Sequence, residues 1–116
     1  MEKMTRTHIR KLPEPPYYTV IFTSKRSQNE KGYRDSINSM LALAAEQPGY
    51  LGTEGARDPD GFGITVSYWT TLEAFTAWSQ IAEGHIAQAS GRNRWFDFYA
   101  LRIARVERAF GVGSPD

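Results

Sequence analysis

His85 is the histidine that falls within the patterned part of the chain, the other, His8, standing near the N-terminus. An imidazole changes charge near neutrality, so His85 offers a general base, a hydrogen-bond donor to a substrate, or an iron ligand. It follows Trp78 by seven residues, about two helical turns, which sets both side chains on one side of a helix. A histidine at a helix end can equally bond a carbonyl or face the negative end of the helix dipole, with no pocket involved. Both readings stand at this point. Trp69, Phe75 and Trp78 offer flat apolar walls for a ligand, although aromatics of this size also serve as plain core. Gly63, Thr65 and Ser67 alternate with bulkier neighbours and share a strand face with Trp69. Side chains that small either leave volume for a ligand or let a helix approach closely.

Other chemistries find less support. The chain has no cysteine, which excludes disulfides, thiolate metal sites, iron–sulfur clusters and a cysteine nucleophile. Nothing singles out one serine for a Ser/His/Asp triad. Glu83 is the one carboxylate close to His85 in sequence, so no hard-metal site is expected. The pieces Gly61-Phe62-Gly63 and Gly111-Val112-Gly113 lack the strand–turn–helix setting of a dinucleotide loop. Arg92 and Arg94 beside Trp95 would suit an anionic substrate or a haem propionate, with solvated surface charge the plainer account. Arg102, Arg105 and Arg108 with Glu107 suit cross-strand or inter-subunit pairs.

The elements that must position these residues can be read from pattern. The chain has 116 residues, 14 Lys+Arg against 13 Asp+Glu and a net charge of +1. That length fits one domain, and the balanced charge argues against nucleic-acid or membrane-surface partners. No apolar run approaches a membrane span. The polar stretch Met1 to Arg10 lacks the apolar core of a signal peptide, so a cytoplasmic protein is expected. Pro13, Pro15 and Pro16 favour an extended N-terminal arm over 1–16. The domain proper is expected over 17–110, with a loose tail over 111–116.

Tyr17 to Ser24 is dense in β-branched and aromatic residues and reads as a strand. Over Gly32 to Gln47, Ile37, Met40, Leu41, Ala44 and Ala45 recur at helical spacing until Pro48-Gly49 stops the helix. Tyr50 to Arg57 and Phe62 to Trp69 read as strands joined by the turn Asp58-Pro59-Asp60-Gly61. Thr70 with Glu73 reads as a capping box opening a second helix that carries Phe75, Trp78, Ala82 and His85. Ile86, Ala87 and Ala89 extend that helix or start a short one before Gly91. Phe98 to Phe110 reads as a long last strand. The order β-α-β-β-α-β predicts an α+β, ferredoxin-like fold with a four-stranded antiparallel sheet and two helices on one face. Two helices cover one face only, yet strands one and three look apolar on both. A second copy packed against the open face resolves this, so a homodimer is expected.

Some of these segments resemble a known family. Pro48-Gly49-Tyr50-Leu51-Gly52 after a helix resembles the start of strand two in the antibiotic biosynthesis monooxygenase superfamily. Ser67-Tyr68-Trp69, followed by Leu72-Glu73-Ala74-Phe75 and Trp78, resembles its passage from strand into helix two. The stretch Leu101 to Arg108 is similar to a bacterial subgroup of unassigned activity. The similarity spans 17–110, and it implies a dimeric α+β barrel with a small-molecule pocket between helices and sheet in each subunit.

The superfamily's monooxygenases oxidise polyketide-type aromatics without a cofactor and share Trp69 with this chain. They carry Asn and Tyr where Thr65 and Phe75 stand here, polar groups of the kind that stabilise an enolate or peroxide. Its haem-degrading branch uses a Trp on helix two, a downstream axial His and an Asn on strand one. Trp78 matches the first, His85 follows it at a shorter interval, and Tyr17 to Ser24 contains no Asn. The resemblance thus implies a monooxygenase acting on a small, largely apolar aromatic or quinol-like molecule. His85 is the expected catalytic group, with Trp69, Trp78, Phe75, Thr65 and Ser67 binding the substrate. No cofactor or metal is expected, haem through His85 being the alternative. A non-catalytic dimeric small-molecule-binding or stress-response protein is the other reading.

Overall fold

The computed structural model describes residues 12–87 and 94–112. Residues 1–11 of the expected arm, 113–116 of the expected tail, and Ala89, Gly91 and Arg92 lie outside the described residues. The elements run β1 (Tyr17–Arg26), α1 (Tyr33–Glu46), β2 (Tyr50–Arg57), β3 (Phe62–Trp69), α2 (Leu72–Ala87) and β4 (Phe96–Val106). The sheet has four strands in the order β2-β3-β1-β4, and every pairing is antiparallel. This is the ferredoxin-like β-α-β-β-α-β arrangement expected from the pattern.

Local chemistry explains the element ends. Gly32 (φ 76°) and Gly49 (φ 91°) flank α1 in the left-handed region that glycine enters without steric cost. At Gly49 a side chain would also meet Thr70 Oγ1 at 2.6 Å and Ala74 Cβ at 2.9 Å, so the β2 entrance packs directly on the start of α2. The β2–β3 turn closes through Gly61 N–H to the Asp58 carbonyl at 3.0 Å and Phe62 N–H to Asp58 Oδ1 at 3.0 Å.

Three boundaries differ from the sequence reading. β1 runs on to Arg26 rather than Ser24, because the Arg26 N–H bonds the Gly61 carbonyl at 2.8 Å. β4 starts at Phe96 and ends at Val106, since its pairing partner β1 spans only the length from Tyr17 to Arg26. The cap of α2 is Thr71, whose Oγ1 accepts the Ala74 N–H at 3.1 Å. Thr70 is drawn instead to the Gly49 carbonyl, which takes its N–H at 2.8 Å.

Register sorts the strand residues onto two faces. Val20 pairs with Ser67 and Phe22 with Thr65, while Thr53 pairs with Ser67, Gly55 with Thr65 and Arg57 with Gly63. These face the helices. The opposite face carries Phe62, Ile64 and Phe98, all substantially exposed, together with Tyr68, which stacks edge-on against Tyr17 and donates to Glu54 at 2.7 Å.

Under the helices the core is split. One buried cluster joins Val20, Ala44, Trp69 and Phe75, and a second joins Tyr33, Trp95 and Phe96. Trp95 belongs to packing: its indole N–H donates to the Lys31 carbonyl at 3.0 Å, and its ring meets Tyr33 edge-on. Arg26 locks the same corner, its guanidinium lying 3.3 Å from the centre of the Tyr33 ring while Nε donates to the Trp95 carbonyl at 3.0 Å.

Candidate functional site

Small residues on β3 face the helices between the two core clusters, and the space they leave is a cavity of about 410 Å³. Its floor comes from β1, β2 and β3, its roof from α1 and α2, and its open flank from Tyr99 and Leu101 on β4. The volume sits in the range of small-molecule sites, about 300–1,000 Å³. Thr65 and Ser67 lie in the floor, so the alternation read from the sequence leaves room for a ligand rather than drawing a helix down.

Trp69, Phe75 and Trp78 form the aromatic end of the cavity. Trp69 is fully buried, with ring centroids 5.8 Å from Phe75, 5.7 Å from Trp78 and 5.3 Å from Tyr50. Both indole N–H groups are already engaged. Trp69 Nε1 donates to Ser67 Oγ at 2.9 Å, and Trp78 Nε1 donates to the Met40 carbonyl at 2.8 Å, tying α2 to α1. Neither indole is therefore aimed as a donor into the cavity. Ser67 accepts one bond and keeps its own O–H to give, so it is the natural donor to a ligand beside Trp69. Tyr50 and Thr53 pair their hydroxyls at 2.7 Å along the same edge.

His85 shares the side of α2 that carries Trp78, as its spacing suggested, but it does not line the cavity. It lies in the last turn of α2, half-buried, and the cavity wall does not include it. α2 reaches the wall through Phe75, Trp78, Ser79, Ala82, Glu83 and Ile86. That arc centres near Ala82 and Ile86, and His85 falls roughly a quarter-turn to its side. Trp78 stands on the same edge of the arc but has the length to reach inward.

The wall also holds Arg57 and Thr53 from β2, Tyr33 from α1 and Glu83 from α2, which sequence reading did not single out. Alternation carried the signal for two of them, because Thr53, Gly55 and Arg57 occupy every second position of β2 and face the same side as Thr65 and Ser67. Arg57 is buried at 6% exposure. Its Nη2 donates to Ser24 Oγ at 2.8 Å, and its Nη1 donates to the Gly61 carbonyl at 2.5 Å.

Comparison with known proteins agrees with this architecture. The family model described as antibiotic biosynthesis monooxygenase matches residues 16–89. "Uncharacterized protein YqjZ" of Bacillus subtilis (strain 168) is 49% identical over 98 residues, 84% of this chain and 86% of that protein. Among solved structures, SnoaB of Streptomyces nogalater, described as a cofactor-independent oxygenase, superposes with a TM-score of 0.59 at 12% identity, over 88% of this chain and 100% of that one. A MhuD mutant with two manganese protoporphyrin IX bound per active site superposes with a TM-score of 0.53 at 20% identity, over 84% and 99%. At these identities the structures share the fold. The matched residues 16–89 span β1 through α2, most of the cavity's floor and roof, and the chain belongs to the antibiotic biosynthesis monooxygenase family.

Proposed function

We propose that this protein is a monooxygenase that takes a small, largely apolar aromatic or quinol-like molecule into the cavity between helices and sheet. The observation that carries the reading is the aromatic end of that cavity, where Trp69, Phe75 and Trp78 meet over the small residues Thr65 and Ser67. A flat ring fills such a slot by apolar burial and ring–ring contact. The hydroxyl of Ser67 then orients an oxygen of the substrate. The chemistry needs no electron source beyond the substrate and dioxygen. A methylene between aromatic rings loses two hydrogens and gains one oxygen atom as a carbonyl, and the second oxygen atom leaves as water.

In this reading Trp69, Trp78, Phe75, Thr65 and Ser67 bind the substrate. His85 receives no role at the reacting atoms, because it stands off the wall. The haem alternative relied on the same imidazole as axial ligand, and since His85 does not line the cavity no step through haem is derived. The exposed apolar face of Phe62, Ile64 and Phe98 supports a homodimer closed sheet to sheet. No helix among the described residues is long and apolar enough to cross a membrane.

An oxygen electrode with a panel of anthrones and hydroquinones tests the proposal. Uptake of O₂ above the uncatalysed rate, unchanged in His85→Ala and reduced at least tenfold in Trp69→Leu, is the expected result. Ligand-induced thermal stabilisation with no uptake on any substrate overturns the oxygenase reading in favour of the non-catalytic binding protein.

A further inference from the structure

A second hydroxyl stands beside Ser67 on the cavity floor. Thr53 of β2 lies directly across the ladder from Ser67 of β3, and both belong to the cavity wall. Directly opposed residues on one sheet face hold their Cβ atoms roughly 5 Å apart, so the two hydroxyls can reach a single atom above them. Thr53 is 4% exposed, and a hydroxyl removed from water to that degree needs partners.

Each hydroxyl is backed by an aromatic side chain. The Trp69 indole N–H donates to Ser67 Oγ at 2.9 Å, and an indole nitrogen can only donate. Tyr50 Oη lies 2.7 Å from Thr53 Oγ1. The phenol is the more acidic of that pair and gives its proton to the threonine. Tyr50 is not itself part of the wall; it stands behind Thr53, its ring braced edge-on against Trp69 with centroids 5.3 Å apart. Both hydroxyls therefore accept one bond from an aromatic partner and keep their own proton to give. Accepting a bond polarises an O–H and strengthens the bond it donates.

We infer that Thr53 and Ser67 form a paired donor that holds one oxygen of the ligand, a carbonyl or its enolate conjugated to the ring lying against Trp69. Such an oxygen carries in-plane lone pairs, one for each donor. Two donors aimed at one oxygen also favour the form in which that oxygen gains negative charge. Thr53 and Ser67 touch the ligand, whereas Tyr50 is a positioning residue that acts through Thr53. The inference rests on the reading of this cavity as a ligand site, and it adds which atom of the ligand is held and by which groups.

Carbon-13 NMR of 1-tetralone labelled at its carbonyl carbon and bound to the full chain tests it, because a hydrogen-bonded carbonyl carbon moves downfield. The bound resonance is expected downfield of its position in 2-propanol, where a ketone accepts a single hydrogen bond. Thr53→Val is close to threonine in shape and suits a strand. It should move the resonance back toward its position in cyclohexane. It should also lower the affinity for tetralone, relative to tetralin with a methylene in place of the carbonyl, at least threefold. Thr53→Ser should keep both properties of the unaltered protein. A bound resonance at or upfield of the 2-propanol position overturns the paired donor while leaving the cavity a ligand site, and this arm decides even if Thr53→Val does not fold. A resonance and an affinity ratio unchanged in folded Thr53→Val overturn the role of Thr53. Failure of both compounds to bind refutes the ligand-site reading, and the inference falls with it.

Discussion

The indole of Trp69 is fully buried, and its N–H reaches Ser67 Oγ at 2.9 Å. Replacing Ser67 with Ala removes that acceptor and leaves a buried donor unsatisfied. Such a loss costs about 1–3 kcal/mol. The bond faces a cavity rather than solid core, so relaxation toward that space keeps the cost in the lower half of the range, ~1–2 kcal/mol. For a chain of this size that corresponds to a fall in Tm of roughly 4–10 °C. The serine's contribution to packing is separated from the bond by repeating the substitution in a Trp69→Phe background, where no indole N–H exists. Urea unfolding of all four proteins at one fixed protein concentration completes the cycle, because any dimer makes stability concentration-dependent. The coupling energy should be at least ~1 kcal/mol, with Ser67→Ala within about 0.5 kcal/mol of neutral in the Trp69→Phe background. An equal cost in both backgrounds would refute the claim that Ser67 serves the indole, and with it the view that the serine keeps its proton for a ligand.

The cap of α2 and the hydroxyl of Tyr68 give two more tests. Thr71→Ala removes the acceptor of the Ala74 N–H and should lower stability by about 1 kcal/mol, whereas Glu73→Gln should change it by no more than a few tenths; the reverse order in thermal unfolding would restore Thr70 and Glu73 as the cap. Tyr68 is raised well above the ordinary tyrosine pKa of about 10 by burial first and then by its hydrogen bond to Glu54. Above a pH of about 10 the unfolded chain loses that proton while the folded one keeps it, so this contribution is complete below that pH and fades as pH rises. Tyr68→Phe should therefore flatten the alkaline decline in urea-measured stability, and an unchanged slope would contradict the assignment.

Much of the fold was legible in one dimension. The period-2 pattern of Phe62 to Trp69 named the two faces of β3, and the structure places Thr65, Ser67 and Trp69 together under the helices. Pro48-Gly49 marked the end of α1, and Gly49 does take up a positive φ. The cap of α2 was missed by one residue because Thr70 and Thr71 are equivalent as local signals. What separates them is a long-range bond, the Thr70 N–H to the Gly49 carbonyl. The strand limits were missed for the same reason, since a strand ends where its partner does.

Element order, the side of each strand that turns inward and the exclusion of thiol chemistry all follow from periodicity and composition, which are properties of neighbours along the chain. Which inward residues share the cavity is settled instead by packing in three dimensions. His85 satisfied the spacing yet stands a quarter-turn from the centre of the arc that α2 turns to the cavity, because a helix face is fixed by what packs on it and not by one pair of positions. Arg57 read as the last residue of a strand, yet it reaches past Gly63 to Ser24, thirty-three residues away in sequence. No local pattern encodes that reach, which depends on three strands meeting in register over a missing side chain.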